Sequence, residues 1–496
     1  MSGWRRSKRP ADPSGMSSPG ERPSGAAAAG SSPARSAARL QQEKLRERAG
    51  RLLGAKWRRL VLQTGLPWGA ALLVGLVSVL YADWSTDVSN VFLASIVGRP
   101  WLAFLITPAL TVLALFLTRR WFTGSEGSGI PQVIAALHAP RTEEDTLMRR
   151  LFGVRVIVGK IVVSLIGLLG GLTIGREGPT VHIGAAIMAE IRRFYPHRNA
   201  QLERRLLLAG AAAGLSAAFN TPLAGIIFAI EELARDFESR TNGIMITAVV
   251  FSGLTSLALA GNYLYFGQIN VSGNLGGAFV LPVVLSAAIC GLFGAAFNLT
   301  LLRWRIWMPD WLIALRARKP MIYALGVGLV VAALGVGTHG ETWGSGYDQA
   351  RHLLEGATPL SEGYAITKWG AMVVTYMAGI PGGLFSPSLS IGAGLAQWVH
   401  AVFSWAPMAA VIALCMTGYL AAVTQSPITS FVIVMEMTNG TGMVIPMMAT
   451  ALVAARISAF FTPPLYEALA QSNYFEIAAL PAGGFLQKKP VPPPGA

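Results

Sequence analysis

Long stretches of this chain pass without a charged side chain, and short segments between them collect arginines. Residues 60–81 and 102–117 each approach the about 20 apolar residues with which a helix crosses about 30 Å of hydrocarbon. Residues 161–175 are shorter, and 151–160 before them complete one span. Residues 206–230 are apolar but interrupted by Asn220-Thr221-Pro222. Residues 243–302 carry no charge, yet their middle, 261–277, is polar and glycine-rich, which predicts two spans and a loop. Residues 369–399 and 405–435 are uncharged and each is broken by Gly or Pro, and 437–455 follow. The pattern predicts an all-α, polytopic membrane protein.

Several of these runs are too short or too broken to span alone. In lipid every backbone amide needs an internal partner, so a broken helix is tolerated only when buried in protein or lining a cavity. Paired Gly/Pro interruptions in two halves point to an ion site near the bilayer midplane of an inverted-repeat transporter. The interruptions here are 124–131 and 175–179 in the first half and 379–387 in the second. They predict two inverted-topology halves of tilted and broken helices, roughly 60–261 and 279–461, within a transmembrane domain over 60–466.

Composition agrees. Of 496 residues 53% are hydrophobic and 13% charged, against about 25% charged in a soluble globular protein, which disfavours a cytosolic enzyme. The net charge of +15 looks at first like a nucleic-acid footprint, but residues 1–60 hold 14 Lys+Arg and 4 Asp+Glu and so supply most of it. Residues 1–39 are rich in Ser, Pro, Gly and Ala and predict a disordered tail. Residues 40–59 are basic and amphipathic and predict a helix lying on an anionic membrane surface, not a nucleic-acid partner. The first long apolar run starts near Leu60, and no cleavable signal peptide is expected before it. Arginine pairs at 119–120, 149–150, 192–193 and 204–205, and the basic cluster at 303–319, predict cytoplasmic loops. The tail ahead of the first span, and Lys488 and Lys489 within a short 467–496 tail, put both termini in the cytoplasm of an inner-membrane protein. Cys290 and Cys415 sit in apolar runs, and the six histidines lack ligand spacing, so no disulfide, metal or cofactor is expected.

The breaks carry the candidate chemistry. Gly124-Ser-Glu-Gly-Ser-Gly-Ile-Pro131 turns into an apolar helix, and Pro131 suits its first turn, where no N–H is needed. Such a helix start offers N–H groups and the positive end of a dipole to an anion, and Ser128 adds a hydroxyl. The spacing fits a serine-capped turn equally well. Gly175-Arg-Glu-Gly-Pro179 places Arg176 and Glu177 between two apolar stretches. Ionisable groups at membrane depth usually mark an ion pathway, though an interfacial Arg–Glu pair is the plain alternative. Gly382-Gly-Leu-Phe-Ser-Pro387 is another glycine turn into a helix. The pair Glu231–Glu232 ends an apolar run, where an interfacial position is the default.

Together, Gly127-Ser-Gly-Ile-Pro131, Gly175-Arg-Glu-Gly-Pro179 and Gly383-Leu-Phe-Ser-Pro387, in this order and with Tyr466 in Pro463-Pro-Leu-Tyr466, resemble the signatures of the CLC family of chloride channels and chloride/proton exchangers. The likeness runs from about Leu40 to Tyr466, and without paired nucleotide-binding modules at its C-terminal end the chain is similar to a short, bacterial-type member. The resemblance implies a homodimer with one anion pathway per subunit. It implies that the Ser128 and Tyr466 hydroxyls face the central anion, completed by backbone amides of Leu384 and Phe385, with Gly129 and Ile130 in the first loop. Glu177 matches the gating glutamate and carrier of the external proton, and Glu232 the internal glutamate of proton transfer. Lys160 matches a buried lysine that raises the local potential, with Arg176 as further electrostatic support. Gln132 and Ile134 stand where well-studied bacterial relatives often carry carboxylates.

These roles are physically coherent. Partial charges on N–H and O–H groups hold an anion softly, and throughput requires binding weak enough to release. A carboxylate at Glu177 would mimic the anion and block the path, and protonation would free it. Glu232 favours chloride/proton antiport, a passive voltage- or pH-gated channel is the alternative, and Ser128 favours chloride over nitrate or fluoride. A membrane enzyme would need a catalytic constellation, and no catalytic residue beyond these glutamates is expected.

Overall fold

The computed structural model describes residues 57, 61–139, 147–195, 200–234, 243–261, 263–269, 276–356 and 359–472. The expected disordered tail (1–39), the expected surface helix (40–59) apart from Trp57, and the C-terminal tail beyond 472 lie outside the described residues.

Among the described residues the chain is helical, with two isolated β-bridges and no strand. Seven segments are long and apolar enough to cross a membrane: Leu66–Ile96, Pro100–Arg120, Leu147–Leu169, Gly243–Ala260, Gly277–Leu302, Pro320–Gly337 and Thr441–Phe461. The first departs from the predicted span. Its helix runs on past Tyr81 through Asp83 and Asp87 to Ile96. Hydroxyls there fold back onto the preceding turn, Ser85 Oγ donating to Tyr81 O at 2.6 Å and Ser89 Oγ to Ser85 O at 2.8 Å, so polar residues continue the helix instead of ending it. Pro320–Gly337 was not among the predicted spans. It follows directly on the basic 303–319 segment, and its apolar run starts at a proline that occupies the helix's first position.

The broken spans fall into matched sets. Helix Val154–Leu169 carries Lys160, fifteen residues before Gly175, and helix Tyr364–Met377 carries Lys368, fifteen before Gly383. Each lysine is fully buried, and its Nζ donates to three successive carbonyls, those of Ser125, Glu126 and Gly127 at 2.8, 3.3 and 2.8 Å, or those of Thr342, Trp343 and Gly344 at 3.0, 3.2 and 3.0 Å. Each carbonyl triplet leads through a glycine of positive φ, Gly129 at 103° or Gly346 at 80°, into a short helix, Ile130–His138 or Tyr347–Leu354. Gly127-Ser-Gly129 stands out in the sequence, whereas its counterpart Gly344-Ser-Gly346 does not, being followed by Tyr347 where the first loop has Ile130-Pro131.

The two sets meet head to head. Gly175 and Gly383 exchange both backbone hydrogen bonds at 2.8 Å, the pairing of two antiparallel strands around a local two-fold axis. Gly127 pairs alongside, donating to Ile380 O at 3.2 Å and accepting from Gly382 N at 3.1 Å. A second reciprocal contact links helices Pro222–Phe228 and Pro427–Thr438. Glu231 accepts from Ile428 and Thr429 N–H at 3.1 and 2.6 Å, and Glu436 from Leu223 and Ala224 N–H at 3.1 and 2.7 Å. Each carboxylate satisfies the orphan donors at the other helix's start.

Small residues let helices close to backbone contact. A Cβ on Gly184 would lie 2.2 Å from Gly210 O, and one on Gly210 2.2 Å from Gly184 O, so helices Glu177–Glu190 and Ala200–Phe219 touch through their main chains. This small-residue contact, and not hydrophobicity, distinguishes an interior helix face from a lipid-facing one.

Candidate anion site

Four helix starts converge: Ile130–His138, Glu177–Glu190, Phe385–Val402 and the short Leu465–Ala470. Pro131, Pro179 and Pro387 all stand in first turns, where the missing N–H has no intrahelical acceptor to disappoint. A Cβ on Gly178 would sit 2.3 Å from Ser128 Oγ and 3.2 Å from Gly383 Cα, so only hydrogen fits where the three glycine breaks meet. Phe385 stacks on Tyr466, with centroids 6.2 Å apart and planes 8° from parallel, while Phe219 and Phe228 pack against Phe385 from the side.

The predicted residues of the central site come together. Ser128 and Tyr466 are buried, and their hydroxyls face one another without the geometry of a mutual hydrogen bond. Among the described residues neither hydroxyl has a hydrogen-bond partner, so both keep a donor for something else. Leu384 and Phe385, both buried, begin the helix on the facing side, and Gly129 and Ile130 begin the first. Lys160 does not reach this centre directly. Its ammonium polarises the peptides of the Ser128 loop through their carbonyls, and the Gly127 carbonyl passes that polarisation to the Ser128 N–H.

Glu177 is fully buried, and its carboxylate occupies the start of the Phe385–Val402 helix. It accepts from Ser386 N–H at 3.4 Å, from the Ser386 hydroxyl and from Tyr265 OH at 3.3 Å. Arg176 aims elsewhere: its Nη1 donates to Ala82 O at 2.8 Å, and the guanidinium lies 5.3 Å over the Tyr265 ring. It ties the break to the first helix and to the 263–269 segment.

Glu232 is buried and accepts from the Ser426 hydroxyl. It lies in a π-helical turn, Ala229–Ala234, in which two neighbouring glutamates take different tasks, Glu231 at a helix start and Glu232 on the Ser426 hydroxyl. Gln132 Nε2 donates to Glu126 O at 2.5 Å, so it braces the first loop from within. Ile134 is buried core. Cys290 and Cys415 are buried thiols, and Cys290 Sγ donates to Cys415 O at 3.4 Å. Among the described residues no group of three His, Cys, Asp or Glu could hold a metal ion.

Two residues at this site were missed in the sequence. Tyr265 comes from the polar, glycine-rich loop predicted only as a connection between two spans, and Ser386 stands within the third glycine turn. The aromatic run Tyr263-Leu-Tyr265-Phe266 inside a glycine-rich loop was the available signal.

The arrangement brings together two hydroxyls that have no partner among the described residues and a helix start that the Glu177 carboxylate fills. Oriented N–H and O–H dipoles suit a small anion. Comparison with known proteins agrees. The profile of the family described as "Voltage gated chloride channel" matches residues 110–459. The chain is 31% identical over 427 residues to the H(+)/Cl(-) exchange transporter ClcA of Yersinia pseudotuberculosis, covering 80% of this chain and 85% of the relative. It is 32% identical over 459 residues to the protein of the same name in Salmonella arizonae, covering 86% and 93%. The fold is similar to that of a slow cyanobacterial Cl-/H+ antiporter, with TM-score 0.69 and 21% identity over 82% of this chain and 97% of the other. It is equally similar to a CLC-type fluoride/proton antiporter, with TM-score 0.69 and 21% identity over 81% and 96%.

Proposed function

The chain belongs to the voltage-gated chloride channel family, and from that premise we propose that it exchanges chloride for protons across a membrane, with Glu177 as gate and proton carrier. The observation that carries this reading is the Glu177 carboxylate at the start of the Phe385–Val402 helix, where a chloride would otherwise bind. A deprotonated Glu177 fills that seat as an anion. When it takes a proton it loses its claim on the Ser386 N–H, leaves, and lets chloride in. Returning the proton to the other side reseats it, so anion and proton movements are tied to one side chain. Chloride sits between Ser128 and Tyr466, and the amides of Leu384 and Phe385 complete its shell. Glu232 relays the proton from the cytoplasmic side. Exchange is favoured over conduction because the curated relatives are named exchangers and because Glu232 is present.

The reading includes a homodimer with one pathway per subunit, in an inner membrane and with both termini cytoplasmic. Helices Gly243–Ala260 and Thr441–Phe461 are each only about one-third buried and leave apolar faces that lipid or a second copy would cover. Protein in liposomes with an outward chloride gradient should drive protons inward against their own gradient. Chloride efflux with proton movement no greater than in protein-free vesicles would leave the channel reading instead.

Two variants probe the parts. Glu232→Gln is expected to retain chloride flux and lose proton flux to the vesicle baseline; unchanged coupling would return Glu232 to a structural role with Ser426. Gly178→Ala places a methyl against Ser128 Oγ. Such overpacking costs about 1–3 kcal/mol, which should weaken chloride binding on the order of tenfold or more by calorimetry, with wild-type affinity as the contrary result.

A further inference from the structure

Glu177 is held in its seat by more than backbone. The Ser386 hydroxyl donates to Glu177 Oε1, and Tyr265 OH reaches the same oxygen at 3.3 Å. Ser386 and Tyr265 are buried, and their hydroxyls lie 3.4 Å apart, so both converge on one carboxylate oxygen. Tyr265 itself is fixed. Its backbone carbonyl accepts from Tyr347 OH at 2.7 Å, and its ring meets Phe219, Phe266 and Tyr347 edge-on while Arg176 lies over it. The segment that carries it is pinned by Phe266 N to Met437 O at 3.1 Å and Ile269 N to Thr438 O at 2.9 Å. At the other end of 263–269 Asn220 Nδ2 donates to Tyr263 O at 3.0 Å, so the segment is tied down at both ends.

We propose that Ser386 and Tyr265 form a hydroxyl clamp that sets how readily Glu177 gives up its seat, and so sets the pH at which transport switches on. They are positioning residues acting through Glu177, and the proposal rests on the reading of Glu177 as gate. Both hydroxyls donate to the charged carboxylate and so favour the seated, deprotonated form; a protonated carboxyl needs one of those donors less. Removing a donor lets the proton bind at higher pH. Among the described residues Arg176 beside it, Tyr81 of the first helix and Tyr466 of the last also interact electrostatically with Glu177. None of these donates a hydrogen bond to its carboxylate in the structure, whereas the clamp does.

The test is chloride flux from liposomes against pH. Ser386→Ala should move half-activation up by about one pH unit, the scale of one lost bond to a charged acceptor. Tyr265→Phe should move it in the same direction by less, since its bond is longer, and Ser386→Thr, which keeps the hydroxyl, should follow wild type. In a Glu177→Gln background, adding Ser386→Ala should change nothing in the pH profile. A Ser386→Ala profile that superimposes on wild type, or one lowered by the same factor at every pH, overturns the clamp. So does a shift of equal size with Glu177 already replaced. If Glu177→Gln alone keeps normal pH dependence, the gate reading fails first and the clamp with it.

Discussion

Glu177→Gln should leave chloride moving at every pH while proton flux falls to the level of protein-free vesicles. Glutamine has the shape of the carboxyl group but neither its charge nor its proton. It cannot act as the anion that fills the seat at the Phe385–Val402 helix, and it cannot ferry a proton out of it. The loss should be complete because, among the described residues, no second carboxylate stands at that seat: Glu232, the glutamate proposed to relay the internal proton, is bonded to Ser426 instead. The measurement is paired chloride-electrode and pH-electrode recording on the same vesicles. Residual coupled proton flux in this variant would place the external proton carrier elsewhere.

The second large effect is expected from the buried lysines, which make an internal control. Lys160→Met and Lys368→Met each strip three carbonyls of an ammonium donor. Leaving a buried acceptor unsatisfied costs about 1–3 kcal/mol, partly offset because an ammonium no longer has to be desolvated. Both variants should therefore lose about 2 kcal/mol or more, seen as a lower Tm in detergent. They should differ in function. The Lys160 loop carries Ser128, and the Lys368 loop carries Gly346 and leads to Tyr347. Lys160→Met should weaken chloride binding on the order of tenfold, the scale of one unit charge lost near a low-dielectric site. Lys368→Met should bind chloride like wild type. Equal loss of affinity in both would mean that the lysines matter only for folding.

The contrast between these lysines shows what a sequence displays and what it hides. Glycine and proline breaks are legible because they interrupt apolar runs, and three of them led directly to Ser128, Glu177 and Leu384–Phe385. The fourth break, Gly344-Ser-Gly346, lacks a following proline and sits in a polar stretch, so nothing set it apart until Lys368 was seen bonded to its carbonyls. The Pro320–Gly337 span hid behind the charged segment before it. Leu66–Ile96 outran its prediction because serine and threonine can satisfy themselves on their own helix. Tyr265 and Ser386 were out of reach for another reason. They meet Glu177 across 88 and 209 residues of chain, and no periodicity encodes such a contact. The reciprocal caps of Glu231 and Glu436 reach across 197 and 212 residues and become meaningful only once the two halves are apposed.

The reading as a whole rests on a small anion held mid-pathway by hydroxyls and amides, with the Glu177 carboxylate competing for the seat beside it. Diffraction from crystals soaked in bromide, collected at the bromine edge, addresses this directly. Wild-type crystals should show an anomalous peak between Ser128 Oγ and Tyr466 Oη, and Glu177→Gln crystals a second peak at the Ser386 N–H. An empty map between the two hydroxyls, or a second peak in wild type with Glu177 still seated, would contradict the account.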